Sequence, residues 1–324
     1  MRAMTRQLRK AWSLAALAIL CAGSSRVFAQ FHAQVVYGED DRLDLYQVRD
    51  PDILKRADST VALFDAGRVS VDNVRHEARL ATESYGKSRR LCPGEPFFDQ
   101  ESGASCSGFL VAPDIMMTAG HCVLNESACA SIRFVFGFAI RKEGELPKTV
   151  PASEVYSCAR LLGRAERQDG PDWALVKLDR PVVGHQPLAL NQAGNIANGT
   201  SLYVIGHPEG LPAKFAGGKV RSTSPKDYFV ATLNTYNGNS GSPVFNARTG
   251  LVEGILSRGE DDYVRKGQCY VSRQCPENVC RGEDVTRLSA AVPDAPPPQS
   301  RVAALPARLE GIAALAPDFD QARR

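Results

Sequence analysis

The chain has 324 residues, a formal net charge of +3, 23% charged residues and 44% hydrophobic residues. This length exceeds what one small core needs, so two packed subdomains are expected. The slight, scattered excess of Lys and Arg supplies no basic face, which argues against nucleic acid or an anionic membrane as a partner.

Residues 1–29 read as a secretory signal. Arg2, Arg6, Arg9 and Lys10 form a basic start, Ala11 to Gly23 an apolar run, and Val27-Phe28-Ala29 a small-residue cleavage site. A second cut after Ala33 is an alternative. The run is shorter than the roughly 20 residues needed to cross a bilayer. Cys21 ends it, but the bulky Leu20 before it speaks against a lipid anchor. Removing Cys21 from the nine cysteines leaves eight: Cys92, Cys106, Cys122, Cys129, Cys158, Cys269, Cys275 and Cys280. An even number behind an export signal implies disulfides rather than zinc ligands. Localisation is therefore expected to be extracellular or periplasmic.

Residues 30–57 form an N-terminal segment, a candidate propeptide. Helix formers predict helices over Asp50–Leu63 and Ser70–Tyr85. Short runs rich in Val, Ile, Phe, Leu and Thr follow, broken by Gly, Pro, Asn and Asp. They are Gly108–Ala112, Ile115–Thr118, Ile132–Ala139, Trp173–Leu178, Leu202–Ile205, Tyr228–Leu233, Ser242–Phe245 and Leu251–Leu256. Many short strands at modest spacing predict an all-β barrel or sandwich fold, not a βαβ fold. The expected boundaries are 58–183 for a first barrel and 184–290 for a second. A Pro/Ala-rich tail, 291–324, begins its linker at Ala295–Pro298 and is not expected to carry chemistry.

Three segments fit one mechanism. In Cys106-Ser-Gly-Phe-Leu-Val … Met117-Thr-Ala-Gly-His121-Cys122, a hairpin leads to a histidine between Gly and Cys. A Cys106–Cys122 disulfide would clamp that loop, and acyl transfer needs a rigid base that titrates near neutrality. In Asp172-Trp-Ala-Leu-Val-Lys-Leu, an acid opens an apolar strand, where it can accept the imidazole N–H; nearby Asp169 does not abut the run. In Gly238-Asn239-Ser240-Gly241-Ser242, a serine lies in a glycine-rich turn. The Gly238 and Ser240 N–H groups can converge there as an oxyanion hole, commonly worth about 3 kcal/mol of barrier per donor. A lone histidine, a strand-entry aspartate and a Gly/Ser turn are each ordinary; their combination in the order His, Asp, Ser is not.

TAGHC, DWALVKL and GNSGSPVF resemble the three motifs of trypsin-like serine proteases, nearest to bacterial peptidases related to the glutamyl endopeptidases. Val36-Tyr-Gly-Glu-Asp-Asp-Arg42 and Gly206-His-Pro-Glu-Gly210 extend the likeness, which covers roughly residues 35–285. The resemblance implies two six-stranded antiparallel β-barrels of the chymotrypsin-like type, with the active site in the cleft between them. It also implies a serine endopeptidase with His121, Asp172 and Ser240 as its triad, Ser257 supporting Asp172, no cofactor, and protein or peptide substrates. A monomer is expected, with no nucleic acid partner and no membrane contact beyond the signal.

The sequence departs from the family at several positions. Asn239 replaces the aspartate that pairs with a new N-terminus in trypsin, which argues against that activation route. In the segment resembling the specificity pocket, Asn234 stands where trypsins have an aspartate. Thr235 matches the glutamyl endopeptidases, but Leu256 stands where they have a histidine, followed by Ser257, Arg258 and Gly259. A neutral pocket is expected, with Arg258 exposed at the cleft rim, where the readings are attraction of acidic substrates or, more commonly for an exposed arginine, an ordinary surface residue. Cys129–Cys158 is a second candidate disulfide; Cys92 and the late cysteines are left unpaired by the sequence. The competing readings are a protease-like binding protein without turnover, an esterase or lipase, and a zinc hydrolase. The last two lack the G-x-S-x-G elbow and the HExxH motif respectively.

Overall fold

A computed structural model describes residues 36–276 and 279–291. The signal at 1–29 and nearly all of the tail expected at 291–324 lie outside the described residues.

Six strands close the first barrel: β1 (Thr60–Asp65), β2 (Cys106–Ala112), β3 (Ile115–Thr118), β4 (Ile132–Val135), β5 (Val155–Glu166) and β6 (Asp172–Leu178). They run in the order β4-β5-β6-β3-β2-β1, with β1 returning to β4, and every pairing is antiparallel. The second barrel comprises β7 (Ser201–Gly206), β8 (Lys214–Ser222), β9 (Tyr228–Ala231), β10 (Pro243–Asn246), β11 (Val252–Arg258) and β12 (Glu283–Arg287). Its order, β7-β10-β11-β12-β9-β8, closes through an antiparallel β7–β8 pairing. This is the expected architecture of two closed six-stranded antiparallel barrels.

Period-two alternation decides what each face packs against. Val61, Leu63, Leu110, Met116, Phe134, Ala174 and Val176 fill the first barrel. Leu202, Val204, Phe229, Val244, Leu256 and Val285 fill the second. The residues between them in sequence, Phe109, Met117, Tyr203, Ile205, Phe245 and Ile255, form a third buried cluster that joins the two. Burying a large apolar side chain contributes about 1.5–3 kcal/mol, so this shared cluster fixes the barrels against each other.

Both predicted helices are corrected. Over Asp50–Leu63 only Pro51–Ala57 is helical, capped by the Asp50 carboxylate, which accepts the Asp52 N–H at 2.8 Å. Thr60 onward is strand β1, because Val61-Ala-Leu-Phe64 is buried on both faces. Ser70–Tyr85 is mainly a hairpin of Val69–Asp72 and Glu77–Leu80. There Ala78 and Leu80 are buried while Glu77 and Arg79 are exposed, a period of two rather than 3.6.

The N-terminal segment is woven into the fold. Leu43–Asp44 pairs antiparallel with β8, and Val36–Tyr37 pairs parallel with Gln274–Cys275. Four disulfides are formed: Cys106–Cys122, Cys129–Cys158, Cys92–Cys269 and Cys275–Cys280. The first two are the pairs anticipated from sequence. No helix among the described residues is long and apolar enough to cross a membrane.

Candidate active site

His121 lies in a single 3-10 turn, Gly120–Cys122, just after β3. The Cys106–Cys122 bond, with Cα atoms 6.2 Å apart, ties this turn to the start of β2. Gly120 has no room for a side chain: a Cβ there would run into the Ala165 and Trp173 carbonyl oxygens. The turn therefore sits directly against β5 and β6, and β6 begins with Asp172.

Asp172 is fully buried and multiply anchored. Its Oδ1 accepts the Gly120 N–H at 2.6 Å and the His121 N–H at 3.1 Å, and Oδ2 lies 2.8 Å from His121 Nδ1. An Nδ1–H donated to this carboxylate makes Nε2 the nitrogen that can accept a proton. Burial pushes the Asp172 pKa up, but the His121 hydrogen bond and charge and the Arg258 guanidinium outweigh it and hold the carboxyl below its usual range. Asp169 does not take part in these bonds.

Ser240 follows a turn in which Gly238 has φ +90°, a conformation that favours glycine. The Asn239, Gly241 and Ser242 N–H groups bind the carbonyls of Tyr236, Leu256 and Asn239. Among the described residues, the Gly238 and Ser240 N–H groups have no backbone acceptor. The turn is stitched to the first barrel: Ser107 N–H donates to the Ser240 carbonyl at 2.8 Å, and Ser107 Oγ donates to the Gly238 carbonyl at 2.8 Å. The Cys122 sulfur lies 3.7 Å from the Ser240 carbonyl oxygen, so the histidine turn and the serine turn are neighbours. Ser240 itself is 2% exposed.

The remaining sequence candidates separate. Ser257 Oγ contacts the Asp284 carbonyl and Thr286 Oγ1, each at 3.1 Å, while Thr286 Oγ1 accepts the Asp172 N–H at 3.1 Å. Ser257 thus reaches Asp172 through Thr286, which the sequence reading missed. Asn234 accepts the Tyr37 N–H at 2.6 Å and donates to the Glu39 carbonyl and Asp41 Oδ1, so its amide is taken up by the N-terminal segment. Thr235 Oγ1 donates to Glu283 at 3.0 Å. Leu256 points into the second barrel's core, and Gly259 lies half-buried just past β11.

Two further charged residues near the site carried no motif. Glu283 is fully buried and also accepts the Tyr37 hydroxyl at 3.1 Å; burial drives its pKa well above the usual carboxylate range against the pull of these two hydrogen bonds. Arg258 is 7% exposed, not a rim residue as expected. Only their partners, contributed by distant segments, reveal them. Cys106, His121 and Cys122 have atoms close enough to hold a metal ion, but both sulfurs belong to the disulfide.

Residues 106–255, which span the histidine, aspartate and serine turns, match the model of the trypsin-like peptidase domain family. The chain is 26% identical over 151 residues to a glutamyl endopeptidase of Bacillus licheniformis. That alignment covers 44% of this chain and 45% of the relative, so the chain spans less than half of the curated relative's length. Among solved structures, a Glu endopeptidase in complex with MPD is 16% identical, with a TM-score of 0.45 over 79% of this chain and 95% of its own. Human heparin binding protein is 17% identical, with a TM-score of 0.44 over 75% and 90%.

Proposed function

We propose that the protein is a secreted serine endopeptidase acting through an acyl-enzyme on Ser240. His121 takes the Ser240 hydroxyl proton as Oγ attacks the peptide carbonyl. The Gly238 and Ser240 N–H groups receive the charge that develops on the carbonyl oxygen. His121 then gives its proton to the leaving amine, and a water molecule repeats the sequence to release the acid. Asp172 holds the imidazole in the required tautomer and stabilises it when charged. The observation that carries this reading is the His121–Asp172 pair, anchored by three hydrogen bonds, beside a serine turn whose Gly238 and Ser240 N–H groups have no backbone acceptor among the described residues.

Four disulfides favour an oxidising compartment, in keeping with the export signal read at 1–29. The substrate side chain before the scissile bond is proposed to be uncharged. Asn234 is occupied by the N-terminal segment, Thr235 and Gly259 are neutral, Leu256 is turned away, and burial favours the neutral form of Glu283. Cleavage of a denatured-protein peptide library by wild type, absent in Ser240→Ala, is the test. Cleavage chiefly after Lys, Arg or Glu would contradict the neutral pocket. No cleavage by correctly disulfide-bonded protein would favour a binding protein without turnover.

A further inference from the structure

Behind Asp172 lies a feature that the triad does not require. Arg258 ends β11, and its Nη1 is 4.0 Å from Asp172 Oδ2, the oxygen facing His121. Both side chains are almost wholly buried, at 8% and 0% exposure. The guanidinium is held on its other sides. Nη1 donates to the Arg167 carbonyl at 3.1 Å, Nη2 donates to the Gly170 carbonyl, and Nε lies 3.4 Å from Asp284 Oδ2. Asp284 in turn pairs with Arg281, and the Tyr228 ring lies 5.7 Å from the Arg258 guanidinium carbon. The charges therefore alternate in one line: Arg281, Asp284, Arg258, Asp172, His121.

Two consequences follow from this placement. The carbonyls that Arg258 grips belong to the turn 167–170, which delivers the chain into Asp172, so Arg258 helps to fix where β6 begins. It also brings a positive charge, shared with Asp284, to within 4.0 Å of the carboxylate oxygen that faces His121. Of the three residues behind Asp172, two are cationic and one is anionic. Asp169 lies within the same turn and Asp227 beside Gly170, while against the histidine turn Arg164 donates to the Gly120 carbonyl and pairs with Glu166. A carboxylate that already faces a cation has less to give to an imidazolium.

Resting on the serine-peptidase reading above, we propose that Arg258 is a positioning residue that acts through Asp172, weakening the carboxylate's hold on protonated His121 and so extending Ser240 reactivity to lower pH. The effect is electrostatic and directional. Without the cation, Asp172 stabilises the imidazolium more strongly, His121 stays protonated to higher pH, and less of the enzyme holds a competent base in mildly acidic solution. The plateau at higher pH, where His121 is neutral in either case, changes much less.

The test needs no knowledge of the substrate. The second-order rate of Ser240 modification by a fluorophosphonate is measured from pH 4 to pH 9 for the full disulfide-bonded protein and three variants. Arg258→Gln is expected to move the acid limb upward by about one pH unit, a roughly tenfold loss of rate on the limb. Arg258→Lys retains the charge and is expected to return the midpoint to within about a third of a unit of wild type. Asp284→Asn removes the anion that shares Arg258 and is expected to move the limb the other way. If Arg258→Gln does not fold, the direction of the Asp284→Asn shift decides the matter. A uniform loss of rate at every pH with an unmoved limb would reduce Arg258 to a structural strut and overturn the proposal. A wild-type protein that does not react at Ser240 at any pH would instead overturn the peptidase reading itself, and this inference with it.

Discussion

Replacing Asp172 with asparagine probes the geometry most sharply, because the change is nearly isosteric and its consequence can be worked through atom by atom. Oδ1 accepts two backbone N–H groups, from Gly120 and His121, and Oδ2 receives His121 Nδ1 at 2.8 Å. An amide has one oxygen and one NH2 group. If the oxygen keeps the backbone donors, the NH2 faces Nδ1 and forces the tautomer that carries its proton on Nε2. His121 then cannot accept the Ser240 proton. If the amide flips, the NH2 meets two backbone donors in a buried site and both hydrogen bonds are lost. The same acid-to-amide change in a trypsin-type triad lowers kcat about ten-thousandfold. That corresponds to about 5.5 kcal/mol of transition-state stabilisation. The expected result for Asp172→Asn is a loss of this order in kcat on a cleavable peptide, with KM little changed and a cooperative thermal transition retained. A folded variant within about tenfold of wild type would refute the assignment of Asp172 as the orienter of His121.

Other predictions follow from single observations. Gly238→Ala should lower kcat by about 100- to 1000-fold. A Cβ at this φ of +90° would lie 2.6 Å from the His207 carbonyl oxygen and 2.8 Å from the Gly210 nitrogen, pushing the oxyanion turn away; burst kinetics would report it. Removing the Cys106–Cys122 bond with paired serines should cost about 3 kcal/mol by loop entropy, for a sequence separation of 16. Urea unfolding measures that cost, and the freed histidine turn should lose activity beyond it. His207 is fully buried: burial lowers its pKa to about 3, its Nδ1 lies 3.0 Å from the Leu211 carbonyl oxygen, and Nε2 has no hydrogen-bond partner among the described residues. Its folded pKa lies below the unfolded value, so neutral His207 stabilises the fold above about pH 6.5. That contribution is lost as the pH falls toward 3. Between pH 6 and pH 4 the loss is on the order of 2–3 kcal/mol. In His207→Phe, unfolding curves should depend less on pH over that range by about this amount.

Much of the candidate site is legible in the sequence because its signals are local. The His121 turn, the Asp172 strand and the Ser240 turn each carry their signal within a few residues, and Cys106–Cys122 brackets one hairpin. The apolar runs at β2, β3, β4, β6, β7 and β10 were recognisable for the same reason. Strand β5 was missed because its burial is broken, with Arg160 and Glu166 exposed and two register shifts against β6. Strand β12, with Glu283 and Asp284 at its start, was missed because it buries charge that only distant partners make tolerable. Strand β1 is absorbed into a helix in the sequence reading because Asp50-Pro51 is a strong helix start and only two residues, Asp58 and Ser59, separate that helix from the strand. The burial of Arg258 and the contacts of Thr286 and Glu283 escape the sequence for a related reason. Their partners come from the 167–170 turn, Asp172, Asp284, Tyr37 and Thr235, and no short-range pattern joins those segments.

The central claim is that Ser240 is an activated nucleophile. It is tested most directly by treating the purified, disulfide-bonded protein with a fluorophosphonate, beside Ser240→Ala, and mapping the adduct by mass spectrometry. The account predicts one stoichiometric adduct, on Ser240, absent in the alanine variant. An unmodified Ser240 in the folded, disulfide-bonded protein, or an adduct on another residue that persists in Ser240→Ala, would contradict it.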